Sequence, residues 1–562
     1  MLKVGTVFSG IGSIEHALDR MGIEYEIAFA CDNGDVDILS KKVEENIISI
    51  ESEIEEISAI SELYNKEILE SKDELREIKT ILLKENINIE LLKSIYDKYI
   101  NSNKLNTSQS KAYQKLFFEL SNFKYFEDQI LVAMKLSIKL ESDIKKSSLS
   151  DIETEGLIQS INNTPYKKIV KRIKLLSEKL SMLHERINTE FYRKEVFSIK
   201  SKSEQKKYVD SLYQKYDSQN KVKQAYIANY NISDDAFHWN VSFLDGTHYK
   251  NKIDLFVGGS PCQSFSLVGK QRGLDDTRGT LFYEYARLIK EIQPKVFIYE
   301  NVKAILSNDN GETWKTITEI FDNLGYNWQY DILNAKDYGI PQNRERVFVV
   351  GFRKDLKVEE FSFPSPKELK KTMKDFLLDN VSGKYYLQKK GVDFVLSDKN
   401  LDKRYTQIDG DIQLCQKKNQ QFNWHGDFVF EEENHNKEHL MEDLEKYFLS
   451  EKVKKYVLSS GTKGFYSKPE IDLDIARPLL QSMHKMHRAG VDNYVTTNGR
   501  LRKLTPRECL RLMGYCDSFK IVVSDTATYQ QSGNSIVVDV LINVLLEIFK
   551  SYPDFIGENN HE

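Results

Sequence analysis

Ile253-Asp254-Leu255-Phe256-Val257-Gly258-Gly259-Ser260-Pro261-Cys262-Gln263-Ser264-Phe265-Ser266 is the stretch around which the chain is organised. Ile253 to Val257 is a short apolar run closed by two glycines, the pattern of a buried strand that opens into a tight turn. Pro261 then presents Cys262, and a polar loop follows. In α/β sheets, reactive groups are displayed at such strand ends. Taken alone, the same residues describe a Gly-Pro turn holding a buried thiol. The rest of the chain decides between the two.

The chain has 562 residues, enough for two to four domains, and 40% hydrophobic content supports sizeable cores. A net charge of -5 gives no overall field for nucleic acid, so any such surface must be a local patch. The five cysteines form no CxxC pair and are odd in number, which argues against a disulfide framework or a zinc site. Reduced thiols, a cytoplasmic location and no bound metal are the expectation. No signal peptide is read at the N-terminus, and no apolar run of membrane-spanning length is expected.

Lys3 to Phe8 reads as a first strand, followed by Ser9-Gly10-Ile11-Gly12-Ser13 and a helix from Ile14 to Met21. Strand, glycine turn and helix start together form a cradle for a nucleotide-type cofactor. A second strand, Tyr25 to Ala30, ends at Cys31-Asp32, where an acid can accept hydrogen bonds from a ribose diol.

After Asp32 the α/β pattern stops until about Phe237. Val43, Ile47, Ile50, Ile54 and Ile57 keep a 4-3-4-3 spacing that continues through Tyr64, Ile68, Leu75, Ile78 and Leu82. Ile169, Ile173, Leu176, Leu180, Leu183 and Ile187 repeat it. This is the seam of a coiled coil. A first helix of about 40 residues would reach about 60 Å at 1.5 Å per residue. Residues 44–85 hold 13 acids against 5 bases, and residues 166–224 hold 16 bases against 7 acids. Opposite charge favours pairing of the two, as an antiparallel hairpin arm with shorter helices at its tip.

From Asn240 the alternation returns: a strand ending at Asp245, the strand before Pro261, and a helix that the stretch Asp275 to Phe282 starts and that runs through about Ile292. A strand from Lys295 to Tyr299 leads to Glu300-Asn301-Val302, and the strands Trp328 to Leu333 and Val347 to Gly351 follow. A mainly parallel sheet covered by helices is implied.

Six blocks, in order, resemble the cytosine-C5 DNA methyltransferases. They are Phe8-Ser9-Gly10-Ile11-Gly12, Pro261-Cys262-Gln263, Glu300-Asn301-Val302, Gln342-Asn343-Arg344-Glu345-Arg346, Arg502 to Cys509 with Met513-Gly514-Tyr515, and Gln531-Ser532-Gly533-Asn534-Ser535-Ile536. The resemblance implies a Rossmann-like catalytic domain from 1–35 and 236–353, completed by 520–562. It also implies a target-recognition domain over 354–519, with 36–235 as the helical insertion. S-adenosylmethionine is the methyl donor implied, and duplex DNA the substrate.

Cytosine C5 is a poor nucleophile, and thiolate attack at C6 activates it, which calls for a cysteine such as Cys262. Glu300 matches the group that donates to cytosine N3, and Arg344 and Arg346 match the pair that buttresses the base. Phe8, Gly10, Gly12, Asp32, Pro261, Leu281, Asn534 and Ser535 match the cofactor site, and Asp245 is the choice for the acid facing the adenine. The loop bearing Ser266, Lys270 and Arg272 resembles the one that closes on DNA over a flipped base. Arg477, His484, Lys485, His487 and Arg488 supply donors suited to base edges and phosphates. Ser13 stands where a third glycine is common, and Asp32 where Glu is commoner.

The reading is a site-specific modification enzyme of a restriction or defence system. The arm is expected to be a self-paired projection, a dock for a cognate endonuclease or another protein, or a DNA contact, with the protein partner favoured over DNA. Three alternatives keep some of these residues: a tRNA cytosine methyltransferase of the same fold, a catalytically idle DNA-binding scaffold, and a dinucleotide-dependent oxidoreductase.

Overall fold

The computed structural model describes residues 1–60, 64–85, 89–102, 107–122, 125–144, 164–260, 281–376, 385, 387, 389–416, 424–430, 461–462, 465–466, 502–503 and 506–555. Two compact units are present: Met1–Val36 with Ser201–Glu562, and Asp37–Lys200.

The first unit is built on a seven-stranded sheet: β1 (Leu2–Val7), β2 (Tyr25–Cys31), β3 (Phe237–His238), β4 (Leu255–Gly258), β5 (Val296–Val302), β6 (Tyr326–Asn334) and β7 (Glu345–Arg353). Its order is β3-β2-β1-β4-β5-β7-β6. The first five strands are parallel, and β7 runs antiparallel between β5 and β6. Alternating side chains feed two cores, as the strand period of two requires. Leu255, Val257, Val296, Ile298, Phe348 and Val350 pack on one face, with residues of the helices Ser13–Met21 and Val538–Ser551. Phe256, Phe297, Tyr299, Val347 and Val349 pack on the other, with residues of Leu281–Ile292 and Glu312–Asp322. The result is the three-layer α/β sandwich expected from the alternation.

Two expectations change here. No strand covers 240–245; a short turn of 3₁₀ helix, Val241–Phe243, stands there instead, opened by the Asn240 side chain accepting from Ser242 N. The strand is earlier, at Phe237–His238. The stretch Asp525–Ser551 is long and apolar enough to cross a bilayer, contrary to the sequence reading, but most of it is buried and it is divided into Asp525–Asn534 and Val538–Ser551.

The second unit has its own core. Every seam residue from Val43 to Ile57 and from Ile169 to Ile187 named above is buried in it, together with Tyr64, Ile68, Leu75, Ile78 and Leu82. It is not the two-helix hairpin that the heptads suggest. The first segment is two helices, Ile47–Ile60 and Asn65–Leu82, broken before Asn65 by the non-helical Tyr64 (φ -111°). A Lys79–Glu51 ion pair joins the end of one to the start of the other, so they fold back on each other. Both pack on the long helix Thr164–Ser198, and Phe126–Ile144 adds Ile130, Leu131 and Met134 to the same core. A bundle buries each seam against several helices, where a two-helix arm would leave it half exposed. The charge pairing is that of the sequence: Arg172 meets Glu74 at 2.6 Å and Glu77 at 2.8 Å, and Lys179 meets Glu70 at 3.2 Å.

Candidate active site

The C-terminal ends of the parallel strands line one edge of the sheet. Because β7 is antiparallel, its beginning lies at that same edge, and Val302 at the end of β5 pairs with Arg346. This register is what brings Arg344 and Arg346 to Glu300. The Glu300 carboxylate meets Arg346 Nε at 3.2 Å. Burial pushes the Glu300 carboxyl up, and the charges of Arg346 and Arg344 pull it partly back.

The two arginines differ. Arg344 is 3% exposed and donates to three carbonyls: Gln416 at 2.9 Å, Gly533 at 3.0 Å and Ser535 at 2.9 Å. Its Nε has no hydrogen-bond partner among the described residues, and burial together with the Arg346 charge lowers its pKa to about 10. Arg344 therefore ties β7 to the Gln531–Ile536 block. Arg346 keeps the contact to Glu300. Cys415 Sγ lies between them, 3.9 Å from Arg344 Nη1 and 3.9 Å from Arg346 Nη2. The spacing of two in sequence implied a shared face for the arginines, and their common contact at Cys415 agrees with it.

The approach to the Pro-Cys turn is packed against the same carboxyl. A Cβ at Gly259 would lie 2.9 Å from Glu300 O and 3.0 Å from Glu300 Oε2. Glycine is needed there for the backbone to pass so closely. Asn301 Nδ2 donates to Ser260 O at 2.9 Å and to Tyr299 Oη at 2.7 Å, so the residue after Glu300 fixes the residue before Pro261. Pro261, Cys262, Ser266, Lys270, Arg272, Arg477, His484, Lys485, His487 and Arg488 lie outside the described residues.

At the end of β1, Phe8 (φ 54°), Gly10 (φ 54°) and Gly12 (φ 77°) turn the chain through the left-handed region. Gly12 is under Tyr230, where a Cβ would lie 2.1 Å from Cε2, and the Tyr230 hydroxyl donates to Gly12 O at 2.8 Å. In front of Gly10 the space is open, the nearest atom to a Cβ being Phe8 O at 4.0 Å. Asp32 at the end of β2 accepts from Gly10 N at 2.9 Å and from Gly34 N at 2.8 Å. The cradle fits a ribose-bearing cofactor: open backbone at Gly10, an acid at its rim and, at Gly12, a turn packed too closely under Tyr230 for any side chain.

Ser13, the departure from glycine, has a structural reason. Its hydroxyl bonds Ser535 Oγ at 2.8 Å and Tyr515 Oη at 3.0 Å. The first and last blocks of the chain meet there, over a separation the sequence does not display. Asn534 is exposed and Ser535 buried. Leu281 starts its helix, half-buried against the second core. Asp245 accepts from Thr247 N at 3.0 Å, Thr247 Oγ1 at 2.6 Å and Gln205 Nε2 at 3.3 Å, and faces His248 at 3.5 Å. Its carboxylate is thus engaged by its own turn and the helix Lys202–Tyr213. Asn240 is nearer the end of β3, two residues past His238, whose carbonyl accepts from Asp32 N. The sequence reading passed it over because it assigned a strand to this stretch. Gln342, Cys415 and Gln416 were also missed, and only Gln342 stood in a block that could have signalled it.

Residues 203–550 match the family described as C-5 cytosine-specific DNA methylase. The chain is 33% identical over 298 residues to the type II methyltransferase M.HhaI of Haemophilus parahaemolyticus, covering 53% of this chain and 76% of that protein. It is 35% identical over 312 residues to the type II methyltransferase M.FnuDI of Fusobacterium nucleatum, covering 54% and 78%. The orphan methyltransferase M.SPRI of Bacillus phage SPR is 28% identical over 402 residues, covering 58% and 90%.

Proposed function

Because this chain belongs to the C-5 cytosine-specific DNA methylase family, and so is a DNA cytosine-5-methyltransferase of the type II restriction–modification kind, we propose how its residues divide the reaction. The observation that carries the reading is the meeting of Glu300, Arg346 and the strand end before Pro261 at one sheet edge.

The target cytosine leaves the duplex and enters this edge, because its C5 and C6 are out of reach inside the stack. Cys262 attacks C6, forming the S–C6 bond, and the ring's electron pair moves towards C5 and N3. Glu300, whose carboxyl burial favours in the neutral form, donates to N3 as negative charge develops. Arg346 holds the Glu300 carboxyl in place and faces the same charge, while Arg344 fixes the strand that carries both arginines.

The donor that fits the Phe8–Gly12 turn and Asp32 is S-adenosylmethionine, which supplies an electrophilic methyl group when bound. Asp32 holds the ribose edge, Gly10 opens the backbone to it, and Ser13 with Ser535 fixes the wall opposite. Once C5 carries the methyl group, which the donor would give up by leaving as a neutral thioether, the C5 proton passes to water, and the C–H electron pair re-forms the C5–C6 double bond and expels Cys262 as a thiolate. The loop with Ser266, Lys270 and Arg272 closes the site, Arg477, His484, Lys485, His487 and Arg488 read the target, and the Asp37–Lys200 unit serves a protein partner such as a cognate nuclease.

Expression in a methylation-free bacterial host, with 5-methylcytosine mapped across the genome, tests this. Methylation should fall on one short motif and vanish with Cys262→Ser. Folded, cofactor-binding protein that leaves no 5-methylcytosine would overturn the reading.

A further inference from the structure

β8 (Thr406–Ile408) and β9 (Gly426–Val429) pair in parallel within a small three-stranded sheet. Asp427 on β9 is 1% exposed and makes no ion pair among the described residues. Its oxygens accept from Leu414 N at 3.1 and 3.0 Å, and Oδ1 also accepts from Gln407 Nε2 at 2.9 Å. The same Gln407 amide donates to Ile412 O at 2.7 Å. The carboxyl and its neighbour on β8 thus grip both ends of a three-residue segment. Burial raises the Asp427 carboxyl to about 7, with the Leu414 amide and Gln407 pulling the other way. Burying such a group without a counter-charge costs several kcal/mol unless its hydrogen bonds are made, so its position is what it contributes.

The residues that follow lead straight to the arginines. Gln413 donates from N to Pro341 O and accepts at O from Asn343 N, both at 2.6 Å. Cys415 Sγ touches both guanidinium groups. Gln416 accepts Arg344 Nη1 at its carbonyl, donates from N to Gln342 Oε1 at 3.2 Å, and donates from Nε2 to Ser532 Oγ at 2.6 Å. Gln413, Cys415 and Gln416, on either side of the Leu414 that Asp427 holds, therefore contact Pro341 to Arg346 and the Gln531–Ile536 block.

We propose that Asp427 is a positioning residue for methyl transfer, fixing Arg344 and Arg346 through the Ile412–Gln416 segment. The proposal rests on the active-site role of the two arginines given above. It makes the small sheet part of the catalytic machinery rather than a neighbour of it. A misplaced supporting group of this kind slows the chemical step more than it weakens binding.

Steady-state kinetics on the full-length enzyme separate the outcomes. Asp427→Ala should lower kcat about 10- to 100-fold, with KM for DNA and for S-adenosylmethionine unchanged. Asp427→Asn should restore most of kcat, because an amide oxygen in the place of Oδ1 can accept from both Leu414 N and Gln407 Nε2, and only the Leu414 N contact to Oδ2 is lost. If Asp427→Ala fails to fold by circular dichroism, Gln407→Leu, which frees the Ile412 end, is measured in its place and should show the same loss of kcat. Arg346→Gln is run beside them. Wild-type kcat in Arg346→Gln would sink the reading of the arginines themselves. A loss in Arg346→Gln with wild-type kcat in Asp427→Ala, or no recovery in Asp427→Asn, would overturn this inference alone.

Discussion

The two units bury charge in different ways. In Asp37–Lys200 the buried charges hold helices to one another. Glu53 meets His184 Nδ1 at 2.6 Å and Lys41 Nζ at 2.9 Å. Asp128 accepts from Ile47 N at 2.6 Å, capping a helix from a neighbouring one. In the sheet unit, one set of buried charges gathers at one edge, contributed by different strands. Glu300 is raised by burial and pulled partly back by Arg346 and Arg344, and Arg344 Nε has no hydrogen-bond partner among the described residues. A buried charge that closes on its neighbours is architecture. A set of them converging from separate strands on an open strand end is a site.

That contrast can be broken at several points. Glu300→Gln should lower kcat by about 10²- to 10⁴-fold, since general acid catalysis contributes on that scale, and should leave the melting temperature near wild type. A large loss of stability with little loss of rate would class Glu300 with the architectural charges.

Glu15 is the opposite test, a buried carboxyl in the sheet unit that lies behind the cradle. It accepts from Tyr226 Oη at 2.5 Å, and burial raises its pKa from the ordinary 4.5 to about 7. The neutral acid is the form that folding favours. Its contribution is full below about pH 4.5 and is lost as pH rises through about 7. Glu15→Gln should therefore match wild type in urea melts at pH 4.5 and exceed it at pH 8, by an amount on the order of a few kcal/mol. Equal stability differences at both pH values would contradict this.

The smallest expected effect concerns the helical unit. Among the described residues, its cores share no residue with either sheet core. Replacing Asp37–Lys200 by a flexible linker should leave kcat and the methylated motif as they are. A changed motif would bring this unit into DNA reading.

The parallel strands and the site blocks were legible in the sequence because each is a local pattern: an apolar run, a glycine turn and a polar residue at its end. The seam residues of the bundle were legible for the same reason. The break before Asn65 was not, because a heptad frame marks which side of a helix is buried and not where the helix stops. The missing strand at 240–245 shows the same limit, since a short apolar run also suits a turn packed under a helix. Asp427, Cys415 and Gln416 were invisible for another reason. Cys415 and Gln416 take their meaning from contacts some 70 to 120 residues away, at Arg344 and Ser532, and Asp427 takes its own from Leu414, which belongs to that segment; no spacing rule encodes either.

The central claim is that Cys262 joins cytosine C6 at the edge shared by Glu300 and Arg346. A duplex carrying the methylated motif with 5-fluorocytosine at the target tests it directly, because fluorine at C5 cannot leave as a proton does and the S–C6 bond then persists. With S-adenosylmethionine, wild-type protein should give a complex that survives denaturing electrophoresis, with the DNA mapped to Cys262 and absent in Cys262→Ser. No denaturant-stable complex from active enzyme, or one that persists in Cys262→Ser, would contradict the account.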